Sequence, residues 1–286
     1  MIVVTGAGGF IGSNIVKALN KRGITDILVV DNIIENLEGA QYARHYDIPR
    51  FYSKFKGWSD VEIIFHEGAV SSTTETDPQL FSSMNIGPTK YLLEKSKEHG
   101  FLLSLASSAG VYGNSTTFNE DDEMDPLSIY AYSKAVIDEM TEDGANVQSW
   151  RYFNVYGTPE DHKKKQASPV SKFLQQAKLF NEIEIFENSD QYKRDFICVD
   201  DIVAIKLMAA KTEFRGICNI GTGTSTSFQE VAEIISEKTG AVIKTVPFPP
   251  LLKDQYQTYT CADMTKLRSI IGDYQFKTIR DYVSAQ

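Results

Sequence analysis

Cysteine is scarce: Cys198, Cys218 and Cys261 are the only three in 286 residues, and none stands in a C-x-x-C spacing. An odd, scattered set of thiols neither frames disulfides nor builds a zinc site, so reduced core thiols and no metal are expected. Positive charge is also in deficit. The 29 Lys and Arg against 38 Asp and Glu leave a net charge of −9, which excludes a general nucleic-acid binder with its basic face. A local cationic cluster can still hold a small anion against that balance. No apolar run nears the ~18 residues of a membrane span. The first strand-like run begins at Ile2 with no leader before it, so a cytoplasmic protein without membrane contact is expected. Repeats and low-complexity tracts are missing too. What remains is an ordinary globular composition, 42% hydrophobic and 23% charged, long enough for a large α/β core.

The stretch MIVVTGAGGFIG, Met1 to Gly12, organises that core. Ile2, Val3 and Val4 form an unbroken β-branched run, the signature of a parallel strand covered on both faces. Gly6, Gly9 and Gly12 then suit a tight turn, a close backbone approach to a pyrophosphate, and tight packing of the next helix. That helix (Ile15, Val16, Leu19) would aim its N-terminal amides at the phosphates. A second strand, Ile27 to Val30, ends in Asp31, about 20 residues past the turn, where a carboxylate can hold a ribose hydroxyl. Dinucleotide binding accounts for this combination better than a plain strand–helix packing turn does.

Further along, Asn32 to Ser59 is polar, rich in aromatics and without a clear period. A strand is expected at Val61 to Phe65, a long helix over Pro78 to Lys97, a strand at Phe101 to Ala106, a helix from Ile129 to about Glu142, and a strand from Val147. Strands alternating with helices imply an α/β fold, a Rossmann-type doubly wound parallel sheet whose ligands bind beyond the carboxyl ends of its strands. The first domain is expected over residues 1–156, rejoined by about 196–220. The less regular segments 157–195 and 221–286 are expected to form a smaller C-terminal substrate-binding lobe.

Tyr130-Ala-Tyr-Ser-Lys134 places Tyr130 and Lys134 four residues apart on one helix face. A nearby ammonium favours phenolate and would lower the tyrosine pKa, making Tyr130 usable as a general base. The spacing alone also fits a surface pair on an amphipathic helix. Ser108, at a strand end on the same expected rim, could bond both a substrate oxygen and the tyrosine. Together the three suit the movement of a hydride and a proton at a carbinol carbon.

TGAGGFIG, Ser108 and Tyr130-x-x-x-Lys134 resemble the extended short-chain dehydrogenases/reductases, the family of nucleotide-sugar epimerases and dehydratases. Where its dehydratases carry acids after the serine, this chain has Ala109 and Gly110. HEGAVSSTTE, SSAGVYG, RYFNVYG, HKKKQAS, IFENSDQYKRDF and YQTYTCADMTKLR are similar to the branch that inverts C6 of an ADP-heptose, an activity tied to lipopolysaccharide core synthesis. The resemblance implies NADP as a bound, recycled hydride carrier, with NAD the alternative because Asp31 repels a 2′-phosphate and Glu38 falls where relatives can place a lysine. It implies Tyr130 and Lys163 as two bases, although Lys163 to Lys165 read alone is a solvated basic run. It implies cofactor contacts from Gly6, Gly9, Phe10, Ile11, Gly12, Asp31, Asn32, Lys54, Glu67, Gly68, Ala69, Val70, Ser71, Asn85, Tyr130, Lys134, Val155 and Lys163. It implies substrate contacts from Asn154, Phe186, Glu187, Asn188, Ser189, Arg194 and Tyr256. It further implies a homo-oligomer, a pentamer in that branch. The competing readings are a UDP-sugar C4 epimerase using NAD, and a dinucleotide-binding protein without turnover.

Overall fold

A computed structural model describes residues 1–141, 146–249 and 257–286. The chain opens with strand β1 (Ile2–Thr5), helix α1 (Phe10–Lys21) and strand β2 (Ile27–Val30). After these come β3 (Arg44–Tyr46), α2 (Ile48–Lys54) and β4 (Ile63–His66). Helices α3 (Pro78–Phe81) and α4 (Gly87–His99) precede β5 (Leu102–Ser108), α5 (Ile129–Thr141), β6 (Val147–Tyr152) and β7 (Asn154–Tyr156). The remaining elements are α6 (Pro169–Phe180), β8 (Glu182–Phe186), β9 (Lys193–Cys198), α7 (Val199–Ala209), β10 (Gly216–Ile220), β11 (Ser225–Ser227), α8 (Phe228–Thr239), β12 (Val242–Val246), α9 (Thr265–Ile271) and α10 (Ile279–Ser284).

Seven strands form one sheet in the order β10-β6-β5-β4-β1-β2-β3. The pairs β1–β2, β1–β4, β2–β3 and β4–β5 are parallel. The doubly wound α/β architecture follows from the strand composition. Val3 and Val4 are both fully buried, on opposite faces, and each such side chain contributes roughly 1.5–3 kcal/mol of burial. One face packs Val4, Val29 and Phe65 against Ile15 and Val16 of α1 and Val203 and Leu207 of α7. The other packs Val3, Leu28 and Ile64 against Phe51, Leu92 and Ile137. Because β2 and β4 lie on opposite sides of β1, the order reverses there, and a crevice opens beyond the carboxyl ends of the strands.

The stretch without a clear period holds only short elements. Strand β3 has three residues, and α2 is started by Asp47, which accepts from the Arg50 amide at 2.7 Å. The helix expected over Pro78 to Lys97 is interrupted by a π turn, Ser82–Ile86, and runs on to His99. There Gly100, at φ +80°, ends it. The expected strands at Val61 to Phe65 and Phe101 to Ala106 start and end slightly later, so that Ser108 lies inside β5.

Contacts divide the chain into two compact units, 1–111 with 126–151 and 203–218, and 112–125 with 152–202 and 219–286. The second has its own core, in which Val170, Phe173, Ile183, Phe196, Val231 and Ile235 pack together. It carries a small sheet of β11, β9 and β7 and a parallel pair of β12 and β8. Helix α8 opens with a capping box, Ser227 and Glu230 exchanging bonds with each other's backbone amides.

Candidate active site

A cavity of about 550 Å³ opens in the first unit where the strand order reverses. Its walls include Gly6, Gly9, Asp31 and the loop Glu67–Val70. Gly6 adopts φ +65°, and a Cβ there would stand 2.5 Å from the Gly68 amide nitrogen, so only glycine lets the two loops meet. A Cβ on Gly12 would lie 2.1 Å from the Gly6 carbonyl, and one on Gly8 would lie 1.6 Å from the Ile33 carbonyl. Gly8 has no place among the sequence expectations. Its adjacency to Gly9 was the available signal.

Asp31 does more than line the cavity. Its carboxylate accepts from the amides of Gly8 at 3.0 Å, Asn32 at 2.8 Å and Ile33 at 3.3 Å. It therefore ties the glycine turn to the end of β2. Asn32 accepts from the Ile48 amide at 3.1 Å. Asn85, in the π turn, accepts from the Val70 amide at 2.8 Å and donates to the Val70 carbonyl and to Ser133. Its amide thus fixes the loop on which Gly68 to Val70 face the cavity. Phe10 is buried in the first turn of α1, Ile11 is half-buried beside it, and Ser71 is exposed. Lys54 is exposed at the end of α2, two residues beyond Tyr52 of the cavity lining, and is not itself among the lining residues.

These residues fit a dinucleotide. Helix α1 has Gly9 as its N-cap, so no capping side chain competes for its first amides, which are suited to a diphosphate. Tyr52 and Tyr91 meet edge to face at 5.5 Å in the same lining and offer apolar surface to a flat ring. Neither was expected from the sequence.

Ser108, Tyr130 and Lys134 come together in this unit. The Ser108 hydroxyl accepts from the Gly110 amide at 3.1 Å and lies close enough to the Tyr130 phenol to draw its pKa down. Lys134 donates to the Ala106 carbonyl at 2.6 Å, with its ammonium 5.9 Å from the Tyr130 ring centre. The expected lowering of the tyrosine pKa is not met. Burial raises it, against the smaller lowering from Ser108. Desolvation acts on Lys134 as well, bringing its ammonium down to about 8 despite the attraction of Glu67 and Asp138.

Behind them lies a buried chain that sequence reading missed. The Thr89 hydroxyl donates to the Asn85 carbonyl at 2.7 Å, so it accepts from His66 Nε2 at 3.1 Å. His66 Nδ1 is then left to accept from Thr5 at 2.6 Å. Burial, with Lys134 and Lys206 nearby, brings the imidazole down to about 3 and keeps it neutral.

In the second unit, Lys163 lies in a short 3₁₀ segment and pairs with Glu160 at 3.2 Å. Glu160 is buried and also accepts from the Gly157 and Ser168 amides and the Ser168 hydroxyl. Asn154 and Val155 are half-buried in β7. A pocket of about 260 Å³ is walled by Phe186, Ser189, Tyr192, Phe228 and Phe248, with Lys172 at its edge. Phe248 stacks on Tyr192 at 5.2 Å and meets Phe186 edge-on at 5.3 Å. Arg194 is buried with its guanidinium 5.6 Å from the Phe228 ring centre. Glu187 and Asn188 are exposed. Tyr256 lies outside the described residues.

The fold as a whole is shared with solved structures. The chain is similar to the Helicobacter pylori ADP-L-glycero-D-manno-heptose-6-epimerase, with 26% identity and a TM-score of 0.87, over 99% of this chain and 94% of that one. It is also similar to the UDP-glucose 4-epimerase of Thermus thermophilus, solved with NAD, with 26% identity and a TM-score of 0.81, over 99% and 97%. Residues 2–221 match the pattern of one family from the glycine turn through the serine–tyrosine–lysine cluster to β10, and by that match the chain belongs to the NAD dependent epimerase/dehydratase family.

Proposed function

We propose that this enzyme inverts one carbinol centre of a nucleotide sugar by transient oxidation, and that the sugar is an ADP-heptose altered at C6. The observation that carries the reaction class is the gathering of Ser108, Tyr130 and Lys134, with the Lys134 ammonium 5.9 Å from the Tyr130 ring centre, in the same unit as the cavity walled by the glycine turn and Asp31. The aromatic pocket of the second unit suits a flat nucleobase, and Arg194 suits a diphosphate, whose geometry a guanidinium fork matches. The segments quoted above and the similarity to the Helicobacter enzyme support the ADP-heptose.

Tyr130 takes the proton of the carbinol oxygen while Ser108 holds that oxygen in place. The Lys134 ammonium stabilises the phenolate form of Tyr130 that accepts this proton, and the resulting phenol gives a proton back when hydride returns. A bound nicotinamide supplies hydride acceptance and return, so no external oxidant is consumed. Inversion requires the oxygen to be handled in two orientations of the sugar, and Lys163 is assigned the second proton transfer.

The resemblance implies NADP, but the cavity's charge favours NAD. Asp31 presents a carboxylate, and none of the described residues lining the cavity is Lys or Arg. A 2′-phosphate has no cation to meet there. NAD is expected to bind at least about tenfold tighter than NADP in a titration of the stripped protein; tighter NADP binding would reverse the assignment.

The substrate is tested by incubating the protein with ADP-D-glycero-D-manno-heptose and following the C6 epimer by NMR. Conversion without added cofactor is the expected result. No conversion with NAD or NADP supplied, alongside turnover of a UDP-hexose, would replace the ADP-heptose with the C4 reading.

A further inference from the structure

Lys206 is the misplaced charge of the first unit. It sits on α7 among Ile202, Val203, Ile205 and Leu207, all buried, and is itself fully buried. Its stem runs past the Phe65 ring, whose centre is 5.7 Å from the ammonium. The ammonium then pairs with Glu67, whose side chain is 2% exposed. A buried ion pair of this kind is poor value for stability, since an apolar pair of similar volume commonly does as well or better. Glu67 is equally out of place. It lines the dinucleotide cavity beside Gly6, Gly9 and Gly68, where a lone carboxylate would repel a diphosphate. Its amide also donates to the Thr5 carbonyl at 3.1 Å, so it is fixed at the end of β4.

We propose that Lys206 is a charge-compensating residue of the cofactor site: reaching through the core from α7, its ammonium cancels the Glu67 charge next to the wall of the cavity that would face the diphosphate. The inference rests on the dinucleotide reading of the cavity and on nothing about the sugar. Lys134 from α5 is a further charged group near this pair, with Asp138 beside it and Asp31 on the same cavity wall, while His66 is neutral. Lys134 feels both members of the pair, Glu67 drawing its proton affinity up and Lys206 down. Removing Lys206 alone therefore leaves a carboxylate beside the phosphates. Removing both charges does not.

The experiment is an NADH titration, by fluorescence or calorimetry with no sugar present, of the wild type and three variants, each stripped of bound dinucleotide, with melting curves alongside. Lys206→Met is expected to raise the Kd for NADH by about tenfold or more. Glu67→Gln is expected to bind NADH at least as tightly as the wild type. The Lys206→Met/Glu67→Gln double variant is expected to return to within about threefold of it, a recovery that loss of packing would not produce. If Lys206→Met does not fold, the other two variants still decide. A Glu67→Gln protein with weakened binding, or a double variant that does not recover, overturns the proposal. A wild type that binds no NADH removes the dinucleotide reading together with it, an outcome distinguishable from failure of the variants alone.

Discussion

Lys134 shows how burial reshapes a side chain that sequence alone presents as a simple partner. Its ammonium meets the Ala106 carbonyl at 2.6 Å in a desolvated place, and its pKa falls from 10.5 to about 8. The unfolded chain therefore holds more protons than the folded one between those two values. Stability should rise with pH across that window, by up to about 3 kcal/mol, and be flat in this respect below pH 8. Chemical denaturation at pH 7.5 and pH 10 should show that increment in the wild type and its loss in Lys134→Met; equal slopes in the two proteins would remove Lys134 as the cause. Tyr130 carries the complementary prediction. Its hydroxyl is the proposed proton acceptor, so Tyr130→Phe should lower turnover by about 10²–10⁴-fold with NADH binding and melting temperature close to those of the wild type. Retained turnover would move the base elsewhere.

Among the elements, the π turn at Ser82–Ile86 links folding to the cofactor loop. The extra residue in that turn lets Asn85 point inward, where it meets both polar groups of Val70 and the Ser133 hydroxyl. Asn85→Ala would leave those groups with fewer partners, at a cost of about 2–3 kcal/mol. The Val70 amide should then exchange with deuterium much faster than in the wild type, and unchanged exchange would show that the loop is held by other means. The turn was not legible in the sequence, because Leu80, Ile86, Leu92 and Leu93 keep a helical period through it and one wider turn barely disturbs that period. Strands β1 and β2 were legible for the opposite reason, since unbroken β-branched runs buried on both faces have few alternatives. Between Asn32 and Ser59 the elements are too short for periodicity to register. Lys206 was hidden as well. A lysine in an apolar helix reads as a snorkelling surface residue until its partner just after β4, 139 positions away in the chain, is known.

At the scale of the whole molecule, the reaction class rests on a closed exchange of hydrogen, and two alternatives with the same fold differ in it. A dehydratase eliminates water and draws a proton from solvent onto carbon. An epimerase working by enolisation exchanges the proton at the inverted carbon. Transient oxidation instead removes hydrogen from that carbon and returns the same hydrogen, while solvent protons pass only through oxygen, by way of Tyr130. The residues beyond Ser108 favour the last course. Ala109 is buried and Gly110 half-buried, and neither carries an acid to protonate a leaving hydroxyl. Turnover in D₂O should therefore give an epimerised nucleotide sugar of unchanged mass once exchangeable positions are washed back to hydrogen. Deuterium on carbon, read as a one-dalton increase by mass spectrometry and located by NMR, would place the chemistry with enolisation. A loss of about seventeen daltons, water lost and one deuterium gained on carbon, would place it with dehydration.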